Sequence, residues 1–163
     1  MKPMTAGDSP VGAMPSLVSR FSKVFAQLAA SAPERYELRV NYEIVGTGRE
    51  WDISLIPQRS AHAKVNLHLA EGFAVVNLTL GVSTPFEFML PNPSEISSET
   101  AREIEELARA AVSGALTEDL WFKGEKLVRA KGTVQLEHGP ESSSWGDLAG
   151  FPWLGLRHEH RTY

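Results

Sequence analysis

The chain predicts an α+β, two-layer domain. A four- to six-stranded antiparallel sheet carries an N-terminal helix and a second helix packed on one face, in the order α-β-β-β-β(-β)-α-β before a C-terminal tail. Three observations lead there. Consecutive segments alternate apolar and polar residues, so each strand has a single apolar face, and two further segments carry apolar residues at helical spacing. With 163 residues, 42% hydrophobic and 22% charged, the chain is large enough to bury one core without cross-links. It has no cysteine, which excludes a disulfide scaffold, a thiolate zinc site, a cysteine nucleophile and an iron-sulfur cluster.

Residues 1–15 hold three prolines and two glycines among small polar residues, too little apolar surface to offset the entropy of ordering them, and are expected to be a flexible arm. From Ser16 to Ala32, Leu17, Phe21, Val24, Phe25 and Leu28 form one helical stripe, bracketed by Pro15 and Pro33. Tyr36, Leu38, Val40, Tyr42 and Ile44 then alternate with Glu37, Arg39, Asn41 and Glu43, the signature of a half-buried strand. Gly46-Thr47-Gly48 turns the chain into a second strand with Trp51, Ile53 and Leu55 on its apolar face. A third strand is expected over Ala63, Val65, Leu67 and Leu69, and a fourth from Phe73 to Val82. Ser83-Thr84-Pro85 interrupts the pattern before Phe86, Phe88 and Leu90, and the proline confines that piece to an edge or a bend.

The second helix is expected to begin near Ser97, Ser98 or Thr100, where Thr100 and Glu103 have the form of a capping box. Its stripe, Ala101, Ile104, Leu107, Ala108, Ala111, Val112 and Ala115, is rich in alanine and permits close approach to a sheet. Val128, Ala130, Gly132, Val134 and Leu136 predict one last strand, so that residues 16–138 form a single domain and 139–163 an aromatic tail packing on it. By element order the chain resembles small acidic secretion chaperones and other binding modules in which helices flank an antiparallel sheet, a likeness of arrangement that carries no residue with it.

The net charge of −4 is divided unevenly, with the acidic excess near Glu99, Glu103, Glu105, Glu106, Glu118 and Asp119, all within or beside the predicted second helix. An acidic balance argues against a dedicated nucleic-acid binder. The N-terminus has no apolar core of a secretory signal, and no window approaches the ~18 apolar residues of a membrane span, so a cytoplasmic chain with no membrane role is expected.

Tests for chemistry are mostly negative. Gly46-x-Gly48 precedes a strand and not a helix, so it is a hairpin turn and no dinucleotide fingerprint. His62 and His68 lie six residues apart, about 20 Å along an extended strand, too far to share a metal. His158 and His160 project to one side of an extended segment and are the better metal-ligand pair, though a weak one. Ser142, Ser143 and Ser144 have no assigned base. No catalytic residue and no cofactor is therefore expected.

The aromatic residues outside regular periods are harder to dismiss. Trp145, Phe151, Trp153, Leu154 and Leu156 fall in a glycine-interrupted tail, and Trp121 poses the same choice between core and interface. The leading expectation is a non-enzymatic protein-binding module of adaptor, chaperone or inhibitor type, meeting a protein partner or a second copy through Glu103 and Glu106 on the acidic helix and through Trp121, Trp145, Phe151 and Trp153. The alternative is a small-molecule-binding domain or simple hydrolase with a pocket between sheet and helices, and Tyr36, Tyr42, Trp51 or Glu87 at its mouth.

Overall fold

Helix α1 (Ala13–Ser31) begins three residues before the expected start, with Pro15 inside its first turn, where a missing N–H breaks no helical bond. The structure, a computed structural model, describes residues 13–31, 34–45, 48–70, 75–90, 96–146 and 155–163. Pro33, Phe73, Phe151, Trp153 and most of the expected N-terminal arm lie outside them. Leu17, Phe21, Phe25 and Leu28 form the buried stripe of α1 that the spacing predicts.

Five strands follow: β1 (Tyr36–Val45), β2 (Gly48–Pro57), β3 (Val65–Ala70), β4 (Val75–Leu80) and β5 (Thr84–Met89). They pair antiparallel in sequence order, so the first sheet is a meander. Register puts like with like: Ile53, Leu67, Leu78 and Phe86 form one inward rung, continued at the edge strand by the exposed Val40, while Arg39, Ser54, Asn66 and Thr79 form the opposite one. Pro85 sits in edge strand β5, where its missing donor breaks no ladder.

Helix α2 (Ser98–Val112) is capped by Ser97, whose hydroxyl oxygen accepts from the Thr100 N–H at 3.0 Å. Thr100 is therefore the receiver of the cap and not the cap itself, because the serine three residues earlier takes that position. The helix ends at Ser113 and Gly114, the latter at φ +90, a left-handed conformation that ordinary residues resist. Ala115 thus falls outside α2 and joins the chain's turn into the next strand.

From there the structure has more order than the sequence reveals. Strands β6 (Leu116–Lys123), β7 (Lys126–Leu136), β8 (Gly139–Trp145) and β9 (Leu156–Thr162) make a second antiparallel sheet, ordered β8-β7-β6-β9. The α+β class holds, but with two sheets where one was expected, and the stretch expected to be a tail supplies both edges of the second. Glu118 and Asp119 lie on β6 and not beside the helix. The reason is physical: β8 and β9 are polar edge strands with no buried side chain, so neither carries an apolar period.

Helix α1 covers β1 and β2, whereas α2 touches β3, β4 and β7 and so serves both sheets. Ala101, Ile104, Leu107, Ala108 and Ala111 of α2 share one core with Leu67 and Leu78 of the first sheet and with Leu116 and Val134 of the second. Among the described residues, no helix is long and apolar enough to cross a membrane.

Candidate functional site

The small side chains of α2 let it settle between the sheets, and a groove of about 400 Å³ remains where its last turns meet the end of β7. Ala110, Ala115 and Leu136 are half-buried there, while Glu106, Arg109, Glu137 and His138 stand exposed. The Gln135 N–H donates to the Ala115 carbonyl at 2.9 Å, which holds β7 to the chain leaving α2 and fixes the width of the groove. Glu106 pairs with Arg102 at 3.8 Å along the helix, and His138 approaches Glu141 at 3.8 Å across the turn. Glu103 is exposed on the same helix outside the groove lining. Of the described site candidates singled out from sequence, only Glu106 belongs to this groove. Its other wall was invisible, because nothing local marks residues 135–138 as neighbours of a helix that ends 23 residues before Gln135.

The outer face of the second sheet gathers a different set. Asp119 on β6 stands opposite His160 on β9, and Trp121 stands opposite His158. Both imidazoles turn to one carboxylate oxygen, His158 Nε2 and His160 Nδ1 each 2.9 Å from Asp119 Oδ1. The bond to His160, ahead of that to His158, holds the Asp119 carboxyl below its usual range. Trp121 stacks on His158 at 4.9 Å between ring centres and carries the Arg129 guanidinium at 5.2 Å. His158 and His160 do share a side, as expected of an extended segment. Among the described residues, however, no group of three or more His, Asp or Glu is arranged to hold a metal ion.

Trp145, by contrast, faces inward. It is half-buried, and its indole N–H lies 2.7 Å from both the carbonyl and the hydroxyl oxygen of Ser83 in the β4–β5 turn. Ser143 donates to the Pro85 carbonyl from the same strand. Beside them stands a residue that the sequence groups with the acidic excess within or beside the second helix: Glu118 is fully buried. Its carboxylate accepts from the Val82 N–H at 2.8 Å, the Ser83 N–H at 3.1 Å, the Thr84 hydroxyl at 2.6 Å and the Tyr163 hydroxyl at 2.6 Å. All four donors are spoken for by one side chain, which makes Glu118 a structural tie between the sheets and not a free acid or base.

The remaining candidates scatter. Tyr36 and Trp51 are buried on the inner face of the first sheet. Tyr42 pairs with Trp51 in the β1–β2 register, but its side chain lies outside the described residues. Glu87 is exposed on the opposite face, paired with Asn77 in the outward rung that includes Asp52 and His68. That rung is polar as expected, with Asp52 Oδ1 3.2 Å from His68 Nδ1 and the Asn66 amide donating to the Ser54 hydroxyl at 2.7 Å. Tyr36 and Trp51 therefore do not share a mouth with Glu87. No known family model, curated protein or solved structure matches this chain.

Proposed function

We propose that the chain is a non-enzymatic protein-binding module of adaptor, chaperone or inhibitor type, which takes its partner in the groove between the last turns of α2 and the β7–β8 turn. The observation that carries the reading is the lining of that groove: half-buried Ala110, Ala115 and Leu136 ringed by exposed Glu106, Arg109, Glu137 and His138. An apolar centre with a charged rim is the anatomy of a recognition surface, in which the centre supplies affinity and the rim supplies register. A partner segment with one apolar anchor, flanked by a basic side chain for Glu106 or Glu137, fits that pattern. The exposed α2 surface with Glu103 extends the contact beyond the groove.

The test is capture from the host lysate together with size-exclusion and light scattering. The wild-type chain is expected to retain a defined partner, or to self-associate, and the double reversal Glu106→Arg with Glu137→Arg is expected to lose it. Both positions are exposed, so the variant keeps the fold. A strict monomer that retains nothing, or a double variant that retains the same partner, contradicts the reading.

A further inference from the structure

A second cavity, of about 180 Å³, lies on the other side of the C-terminal end of α2, where the turn before β1, the β2–β3 loop, the last turn of the helix and Tyr163 come together. Tyr36 lines it. That side chain is only 4% exposed, yet its hydroxyl has no hydrogen-bond partner among the described residues. Buried polar atoms are nearly always satisfied, so an orphan hydroxyl on the wall of a cavity marks a place where something else belongs. Arg35 and His62 share the lining, and the His62 ring lies 6.0 Å from that of Tyr36.

The sign of the occupant follows from these neighbours. A helix C-terminus ordinarily repels anions through its free carbonyls. Here the Arg109, Ala110 and Ala111 carbonyls accept from Ser113, Gly114 and Ala115 N–H groups, and the Ser113 hydroxyl also donates to the Arg109 carbonyl. Those three carbonyls are occupied, and although the Tyr163 main-chain oxygen also comes close at Gly114, the Arg35 guanidinium is the permanently charged side chain of the lining. Burial pushes the Tyr36 phenol up, and Arg35 opposes that effect only in part, so the group stands as a donor at neutral pH. The volume is below that of pockets for drug-sized ligands and suits a molecule of a few non-hydrogen atoms.

We propose that this cavity binds a small free carboxylate, one oxygen of which accepts from the Tyr36 hydroxyl while Arg35 supplies the positive charge and His62 lines the wall beside it. The site shares Ser113 with the proposed protein groove but none of the side chains assigned to the partner there, so its failure leaves that reading untouched.

The probe is sodium acetate, titrated into the intact chain and followed by amide NMR, with sodium chloride at equal ionic strength as control. The expected result is saturable shifts at Tyr36, His62 and Gly114 with a dissociation constant on the order of millimolar, as befits so few ligand atoms. Tyr36→Phe should weaken binding roughly tenfold, the worth of one hydrogen bond to a charged acceptor, and Arg35→Gln should weaken it without touching the core. In acetate-free buffer Tyr36→Phe should melt no lower than wild type, because the deleted hydroxyl has no partner among the described residues. Shifts that never saturate or that chloride reproduces, unchanged affinity in Tyr36→Phe, or a clear loss of thermal stability in that variant without acetate would overturn the proposal, the last because it identifies an internal water as the hydroxyl's partner.

Discussion

Glu118 sits in the phase of β6 that Leu116 and Leu120 occupy, so the backbone delivers a carboxylate to the core side of the sheet. A buried charge is tolerable only when hydrogen-bonded, and here two backbone N–H groups and two hydroxyls meet it. Glu118→Gln replaces one acceptor oxygen with a donor that faces N–H groups, and is expected to cost about 2–4 kcal/mol by denaturant unfolding. Gly81 belongs to the same device: it holds φ +63, and a β-carbon there would run into the Glu118 carboxylate. Gly81→Ala should therefore destabilise by more than the ~1 kcal/mol typical of an exposed glycine position. Tyr163 closes the set at the other end, its phenol raised well above the usual range chiefly by burial and then by the bond to Glu118. Tyr36 is shifted the same way by burial. A tyrosine whose folded value lies above its unfolded value of about 10 contributes stability in full below that pH and loses it as pH rises further. Tyrosinate absorbance should accordingly show two of the three tyrosines ionising only together with unfolding, and Tyr163→Phe should reduce the alkaline loss of stability.

Each element of the first sheet announces itself because one face of every strand is apolar and the other wet, and α1 announces itself by the spacing of Leu17, Phe21, Phe25 and Leu28. The start of α2 was readable to within three residues, and the competing caps were both present: Ser97 wins, with its hydroxyl on the Thr100 N–H. Ser97→Ala should cost about 1 kcal/mol of stability by the same unfolding measurement, and Thr100→Val distinctly less than a lost cap. Strands β8 and β9 were not readable, because edge strands bury one flank of backbone and few side chains, leaving no period to detect. Their positions come from pairing with β7 and β6, and β9 reaches a partner about forty residues away. The same holds for the sites. Leu116-x-Glu118-x-Leu120 did carry a signal, an acid in an apolar phase, but the nearby glutamates grouped it with the acidic excess at the second helix. The groove at Glu106 and Leu136 and the cavity at Tyr36 are products of tertiary assembly, which no window of sequence contains.

At the scale of the molecule, α2 is the shared wall of two sheets, so neither sheet retains a closed core without it. Leu107 is fully buried at the centre of that wall. Leu107→Ala should cost about 2–5 kcal/mol and should shift tryptophan fluorescence and far-ultraviolet dichroism by the same amount, since both sheets lose the same partner. The proposed groove and the carboxylate cavity flank the C-terminal end of this helix, and both depend on its being held rigidly from two sides. The decisive measurement is denaturant unfolding of the wild type and of Glu118→Gln, followed residue by residue through NMR signals of Leu67 in β3 and His160 in β9. One midpoint for both signals in the wild type, lowered equally at both positions by Glu118→Gln, is the predicted result. Release of His160 at lower denaturant than Leu67 in the wild type, or a variant in which only the second sheet responds, would contradict a single unit tied through one carboxylate.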